Sequence, residues 1–518
     1  MAKQNESIAD GVATHYEDVE KVDHSIQPSK DIGAQFLARA ASTQFTVEDE
    51  NRVIRLIDRV LLPIMFISFG LQYMDKVLLN GASQFGIVQD LGLYDIVVID
   101  KAPRLSLNKF SNVTLIFYWG YFVGSFPAVY LAQRLPTGKF SAIAIMIWGA
   151  VTMTTASVKT YAGFMVQRFF LGVCEAAISP AFSLITAMWY KPTEQPLRIA
   201  VWYASTGLGG LVGSIATWGI GHIAGALHPW QYQFIILGAI TVAWGFVVLY
   251  LLPDNPVQAR FLSQMQRTIA VERMRRGQTG IENTHFKSYQ VKEALLDPKT
   301  WLLVVMTLSI QMVNGAVSGF GAIIVSSFGF NGLHSVLLTG GLGGIVFVLL
   351  LGFGLWAIYV PNQRTYIIMF ACIPTIAACI IMWKSSWATY HTPLAGFYLL
   401  GFFSIIYVMI LAVMSANTAG HTKKAFTAGL VWAAYCAGNG IAPLLVKTTE
   451  TTEHYPTLFK ALLVFVSTTL VLTLTLRVLL ENKNKSRDRN GLVVEDDAAR
   501  TGFEDLTDGE NPNFRYSW

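Results

Sequence analysis

Between residues 60 and 480 the chain returns repeatedly to apolar runs of about 20 residues, the length a helix needs to cross the hydrocarbon core of a bilayer. Hydrophobic residues make up 53% of the 518 and charged residues 14%, so no single aqueous core could hide this much apolar surface. In lipid each backbone N–H and C=O must be satisfied internally, which leaves helices for runs of this length. The chain reads as an all-α membrane protein with twelve transmembrane helices. The spans fall at about 60–80, 111–133, 140–158, 164–188, 199–221, 231–252, 301–326, 335–359, 365–383, 394–415, 427–446 and 457–480. A polar stretch divides them six and six. The expected organisation is a six-helix bundle over 51–252, a cytosolic central loop over 253–300 with helices at about 256–277, and a second six-helix bundle over 301–480. Residues 1–50 and 481–518 are polar and mixed in charge and read as disordered cytosolic tails.

Loop charge sets the orientation. Arg52, Arg55 and Arg59 precede the first span and favour a cytosolic N-terminus. The central loop adds eight basic residues on the same side, while the first outer loop breaks the pattern with Lys101, Arg104 and Lys109. The net charge of +5 therefore lies mostly between spans and implies no nucleic-acid partner. Cys174, Cys372, Cys379 and Cys436 all sit in apolar runs, without disulfide or metal-ligand spacing. No nucleophile–base pair stands out, so an enzyme has no support, and neither a metal nor a cofactor is expected.

Within the fourth span, Arg168 and Glu175 stand seven residues apart, nearly two helical turns, and so share one helix face. An ionisable group at membrane depth costs at least about 2.5 kcal/mol, which favours a wet cavity or a protein interior. The pair is either a buried structural ion pair or a substrate and proton site. Asp75 and Lys76 close the first span and, as neighbours on a helix, cannot face one groove squarely. Asp75, on its short stem, is a proton-site candidate alongside Glu175; Lys76 could reach the cavity or snorkel to the interface. Gln311 and Asn314 share a face of the seventh span, as substrate ligands or as interhelical glue. Gly209, Gly213, Thr217 and Gly221 repeat every four residues in the fifth span, a spacing that brings two helices close. His421, beside Lys423 and Lys424 in the loop after the tenth span, suits a gate. Tyr435-Cys-Ala-Gly-Asn-Gly-Ile-Ala-Pro443, with Asn439 at its centre, suggests a bent helix in the eleventh span.

These pieces together resemble the major facilitator superfamily, and within it the fungal anion:cation symporters that include allantoate permeases. The likeness is carried by Tyr73-Met-Asp-Lys-Val77, Leu131-Ala-Gln-Arg-Leu-Pro-Thr-Gly-Lys139, Arg168-Phe-Phe-Leu-Gly-Val-Cys-Glu175, Trp189-Tyr-Lys-Pro-Thr-Glu-Gln195, Gly280-Ile-Glu-Asn283 and Asn417-Thr-Ala-Gly-His-Thr-Lys-Lys424. The tail from Asp505 to Tyr516 is also similar to tails of this group. One departure is Gln133, which stands where the superfamily's loop usually has an aspartate before Arg134, with only Lys139 left of its basic end. The resemblance implies a carrier with alternating access, importing a small organic anion with a proton, in the plasma membrane, with an internal membrane as the alternative. Arg168, Lys76, Gln311, Asn314 and Tyr73 would then hold the substrate, Glu175 or Asp75 the proton, with Arg134, Lys139, Gly209, Gly213, His421 and Asn439 in gating or structural roles. The expected partners are a small organic anion, a proton and the bilayer, with the chain acting as a monomer. The alternatives are a nutrient sensor, suggested by the long tails, or a carrier of a sulfur compound or dipeptide.

Overall fold

The first helix, α1 (Val47–Ala82), begins where local chemistry starts it: the Thr46 hydroxyl accepts from the Asp49 amide, Asp49 caps back, and Glu48, Asp49 and Glu50 fill the positive first turn. The computed structural model describes residues 45–99, 102–191, 194–276, 287–360, 362–489, 506–511 and 514–518. The expected tail over 1–50 is thus corrected at its end, because residues 47–50 are helical; residues 1–44 lie outside the described residues. After α1 the first outer loop forms a hairpin of β1 (Asp95–Ile99) and β2 (Ala102–Ser106). The β-branched run Ile96-Val97-Val98-Ile99 favours it.

The rest of the first half is α2 (Asn108–Arg134), α3 (Thr137–Thr154), α4 (Tyr161–Glu175) continued as α5 (Ile178–Trp189), α6 (Gln195–Ile220) and α7 (Pro229–Leu251). The central segment holds α8 (Gln264–Arg276) and α9 (Ser288–Leu296). The second half is α10 (Pro298–Ser326), α11 (Gly332–Tyr359), α12 (Arg364–Lys384), α13 (His391–Leu399) continued as α14 (Phe403–Asn417), α15 (His421–Ile441) and α16 (Pro456–Arg489). Eleven of these segments are long and apolar enough to cross a membrane. α1, which carries Gln72, Asp75 and Lys76, packs along α6 as the twelfth.

Glycines let α6 touch both halves at once. On one face, a Cβ at Gly209 would collide with the Gly70 carbonyl of α1, and one at Gly213 would lie 2.8 Å from Met74 Cγ. This is the close approach the four-residue spacing predicts. On the other face Gly207 and Gly210 meet α11, where a Cβ on Gly343 would lie 2.6 Å from the Leu211 nitrogen and 2.7 Å from the Gly207 oxygen. Gly343→Leu should therefore force the two halves apart and abolish transport, measured as uptake normalised to protein in the membrane.

At the end remote from the start of α1, the halves are sealed to each other. Asn80 Oδ1 accepts from the Ala322 amide at 2.8 Å, the Ser111 hydroxyl donates to the Pro443 carbonyl at 2.9 Å, and Arg104 donates to the Thr449 carbonyl at 2.6 Å. Arg104, one of the basic residues that broke the loop-charge pattern, is thus part of a latch between the hairpin and the second half.

At the opposite end each half carries a buried ionic clamp. In the first half, Arg273 of α8 bonds Glu194 at 2.6 Å and Glu50 at 3.4 Å, tying the central segment to the start of α1. Lys139 pairs with Asp254 at 3.4 Å, so its partner lies after the sixth span, while the Arg134 guanidinium covers the Tyr130 ring. In the second half the clamp comes from the C-terminal tail, which corrects its reading as disordered over 481–518. α16 continues to Arg489, and residues 506–511 and 514–518 fold back onto the bundle; residues 490–505 and 512–513 lie outside the described residues. Asp508 reaches Lys299 at 2.6 Å and Lys423 at 2.8 Å and accepts from the Tyr516 hydroxyl at 2.9 Å, all three side chains being shielded from solvent. Burial alone would raise the Asp508 carboxyl, but Lys299 and Lys423 hold it down to about 2. A depressed carboxyl contributes stability above its unfolded value and loses it only as pH falls through about 2, so the clamp stays closed at every physiological pH.

Removing Asp508 leaves Lys299 and Lys423 buried with only Asp297 between them, at 3.5 and 3.1 Å, and Glu293 at the rim. The loss should therefore approach about 3–5 kcal/mol, the cost of a broken buried pair, without exceeding it. Asp508→Ala should lower the thermal midpoint of the purified protein markedly. Glu293→Gln, at the half-exposed rim of the same cluster, should shift it little, by about 1 kcal/mol or less.

Candidate functional site

Midway through the bundle a cavity opens between the halves, with eight lining residues from each. α1 supplies Phe69, Gln72, Tyr73 and Lys76; α10 supplies Gln311 and Asn314; and α14 and α15 supply Tyr407, Trp432 and Tyr435 among others. Lys76 is the one charged residue among those described that line it. A second, smaller cavity lies beside it toward the sealed end, lined by Asp75, Lys76, Arg168 and Glu175 together with Tyr118 of α2 and Ser318 of α10. Lys76 belongs to both.

The shared helix face predicted for Arg168 and Glu175 is present: both are buried and both line the second cavity. Glu175 sits where the helix breaks. Pro180 has no N–H to give and its ring crowds the preceding turn, so α4 stops at Glu175 and α5 restarts at Ile178. Gln72 Nε2 of α1 donates to the Glu175 carbonyl at 3.0 Å and satisfies the backbone there. The Glu175 carboxylate faces the Asp75 carboxyl and Arg168 across the second cavity, and its nearest cation is Lys76 Nζ at 3.8 Å, with side-chain exposures of 1% and 10%. Reaching inward to Glu175, Lys76 is not the snorkelling interface anchor the sequence left open. It also lies 5.3 Å over the Tyr121 ring.

The other two charges are held differently from the sequence reading. Arg168 does not line the central cavity. Its guanidinium lies between the Phe164 and Phe234 rings at 5.1 and 5.5 Å, with Nε and Nη2 unpartnered. Asp75 faces away from the central cavity, accepting from Trp148 Nε1 at 2.6 Å and from the Thr152 hydroxyl at 2.9 Å. The 100° between neighbours on α1 thus sends Lys76 into the central cavity and Asp75 toward α3.

Gln311 and Asn314 are both glue and lining. Asn439 Nδ2 donates to the Tyr435 carbonyl at 2.9 Å, a contact only its amide N–H can make, so the orientation of Asn439 is fixed by chemistry. Its Nδ2 also donates to Gln311 Oε1 at 3.0 Å and its Oδ1 accepts from Asn314 Nδ2 at 2.8 Å. That leaves the Gln311 amide N–H groups and the Asn314 carbonyl oxygen for the cavity both residues line. Where the sequence suggests a bent helix in the eleventh span, α15 runs unbroken to Ile441 and tightens into a 3₁₀ segment over Ala442–Leu445, with Asn439 just before it. His421 opens α15, but its side chain lies outside the described residues.

Sequence reasoning missed Gln72, Tyr121, Tyr203, Tyr407, Trp432 and Tyr435. A signal was available: tyrosines in membrane helices concentrate at the two interfaces, and these stand in the middle of spans.

The sequence profile of the Major Facilitator Superfamily matches residues 65–443. An uncharacterized transporter of Schizosaccharomyces pombe is 33% identical, over 94% of this chain and 91% of the relative. The allantoate permease of Saccharomyces cerevisiae is 29% identical, over 95% and 91%, and a thiamine pathway transporter of the same yeast is 32% identical, over 90% and 86%. Among solved structures, the xylose transporter of E. coli in a partially occluded inward-open conformation superposes with a TM-score of 0.60 at 12% identity, covering 80% of this chain and 96% of that one.

Proposed function

The chain belongs to the major facilitator superfamily, and on that premise we propose that it imports a small organic anion together with a proton. The observation that carries this reading is Lys76, which lines the central cavity and stands 3.8 Å from the buried Glu175 carboxylate. With Glu175 ionised, its charge competes for Lys76. With Glu175 protonated, Lys76 is free to bind an anion entering the central cavity. Anion and proton then bind as a unit, which is the requirement for symport. Arg168 balances the charge of the second cavity rather than touching the substrate, and Asp75 is a positioning group tied to α3. Gln311 and Asn314 orient the anion through the two polar groups Asn439 leaves free.

The name of the allantoate permease denotes a carrier of an organic carboxylate, which favours an anion over a sugar. The basic residues at the clamp end favour a cytosolic location for it, so the sealed end faces outward and alternating access must open the contacts of Arg104, Asn80 and Ser111. Uptake by reconstituted vesicles of a panel of labelled carboxylates under an imposed pH gradient tests the reading. Accumulation that follows the gradient supports it; uptake indifferent to the gradient contradicts it.

A further inference from the structure

We infer that the anion taken by the central cavity is flat: an aromatic or heteroaromatic carboxylate. The inference rests on the proposed anion site and narrows its substrate class. Eight of the sixteen lining residues are aromatic, and Val346 is the one aliphatic side chain among them. The rings form a connected wall across the boundary between the halves. Tyr203 and Tyr407 have centroids 6.0 Å apart, Tyr407 and Tyr435 5.5 Å, and Trp432 and Tyr435 5.2 Å. Such spacings belong to rings that meet edge to face or offset, and a flat π-system lying against this wall gains contacts of the same kind. A puckered or branched aliphatic acid of equal charge would meet only ring edges and faces it cannot match.

A second observation points to a ligand rather than to dry packing. The Tyr407 hydroxyl is buried and has no hydrogen-bond partner, although the cavity it lines contains polar groups. A buried hydroxyl without a partner is costly, and a polar atom of the ligand would relieve it. The polar groups of the lining define the rest of the molecule. Lys76 receives the carboxylate, while the Gln311 N–H groups and the Asn314 carbonyl offer a donor and an acceptor to the ring edge. Flat cations are also drawn to aromatic faces, but here Lys76 occupies the Tyr121 face and repels them.

Equilibrium binding to the purified full chain in detergent at acidic pH tests this without interference from passive permeation of neutral acids. The probes are pyridine-3-carboxylate, benzoate and cyclohexanecarboxylate, the last sharing charge and ring size but not flatness. At least one flat acid should bind at least about tenfold tighter than cyclohexanecarboxylate. Tyr203→Leu and Tyr407→Leu should bring that ratio near parity, while Tyr407→Phe should keep it. Equal or tighter binding of the puckered acid would overturn the inference, as would a ratio unchanged in both leucine variants. If only an aliphatic acid such as succinate binds, the flat-substrate inference falls while the anion reading stands. If N-methylpyridinium binds and no carboxylate does, both fall.

Discussion

Glu175→Gln should eliminate proton-driven accumulation while leaving anion exchange in place. Glutamine holds the position permanently in a neutral form of similar shape, so Lys76 is released from its 3.8 Å pairing at every pH. The anion can then bind from either side, and vesicles loaded with unlabelled substrate should exchange it for labelled substrate at close to the native rate. What is lost is the link to the proton gradient. For one proton per anion, each pH unit supports about tenfold accumulation, and the variant should fall to a ratio near one. A buried ion pair that merely props helices together would behave differently: its loss would reduce exchange and accumulation together.

Lys76→Ala should remove anion binding itself. A charge-assisted hydrogen bond contributes about 1.5–3 kcal/mol, so the dissociation constant should rise about 10- to 150-fold. The single variant also leaves Glu175 buried without its cation and should lower the melting temperature, which could be mistaken for the whole effect. The double variant Lys76→Ala with Glu175→Gln separates the two. It removes both charges, so stability should return, while anion affinity stays as poor as in Lys76→Ala alone. Recovery of affinity along with stability would reduce Lys76 to a structural role.

Most of the helical frame was legible in the sequence because lipid leaves so few options. Apolar runs of span length must be helices, and their positions match the observed segments to within a few residues except at the chain ends. There, residues 47–50 and the tail around Asp508 look polar in isolation. What makes them ordered is burial against partners distant in sequence, Arg273 for Glu50 and the Lys299–Lys423 pair for Asp508. The aromatic residues Phe514, Tyr516 and Trp518 were the visible sign that this tail had a surface to sit on.

The site was legible in its charges and in part of its walls, at Tyr73, Gln311 and Asn314, but not in its aromatic face. An ionised group in an apolar run stands out, so Asp75, Lys76, Arg168 and Glu175 were all found, and the helical period placed Arg168 and Glu175 on one face. Which of them meets the central cavity depends on the rotation of α1 and α4 against neighbouring helices, and no period within one helix contains that. For that reason the sequence names Arg168 and Lys76 together, while only packing places Lys76 at both cavities and Arg168 at the second alone. The tyrosines come from α1, α2, α6, α14 and α15, and only tertiary packing brings them together.

Coupling requires Lys76 to be shared between a carboxylate that takes a proton and an anion that takes its place. The pH dependence of equilibrium anion binding, compared between the native protein and Glu175→Gln, measures that sharing directly. Native affinity should weaken as pH rises, approaching about tenfold per pH unit once Glu175 ionises, and the glutamine variant should bind tightly with no such slope. The same slope in both proteins, or a flat native profile, would contradict it.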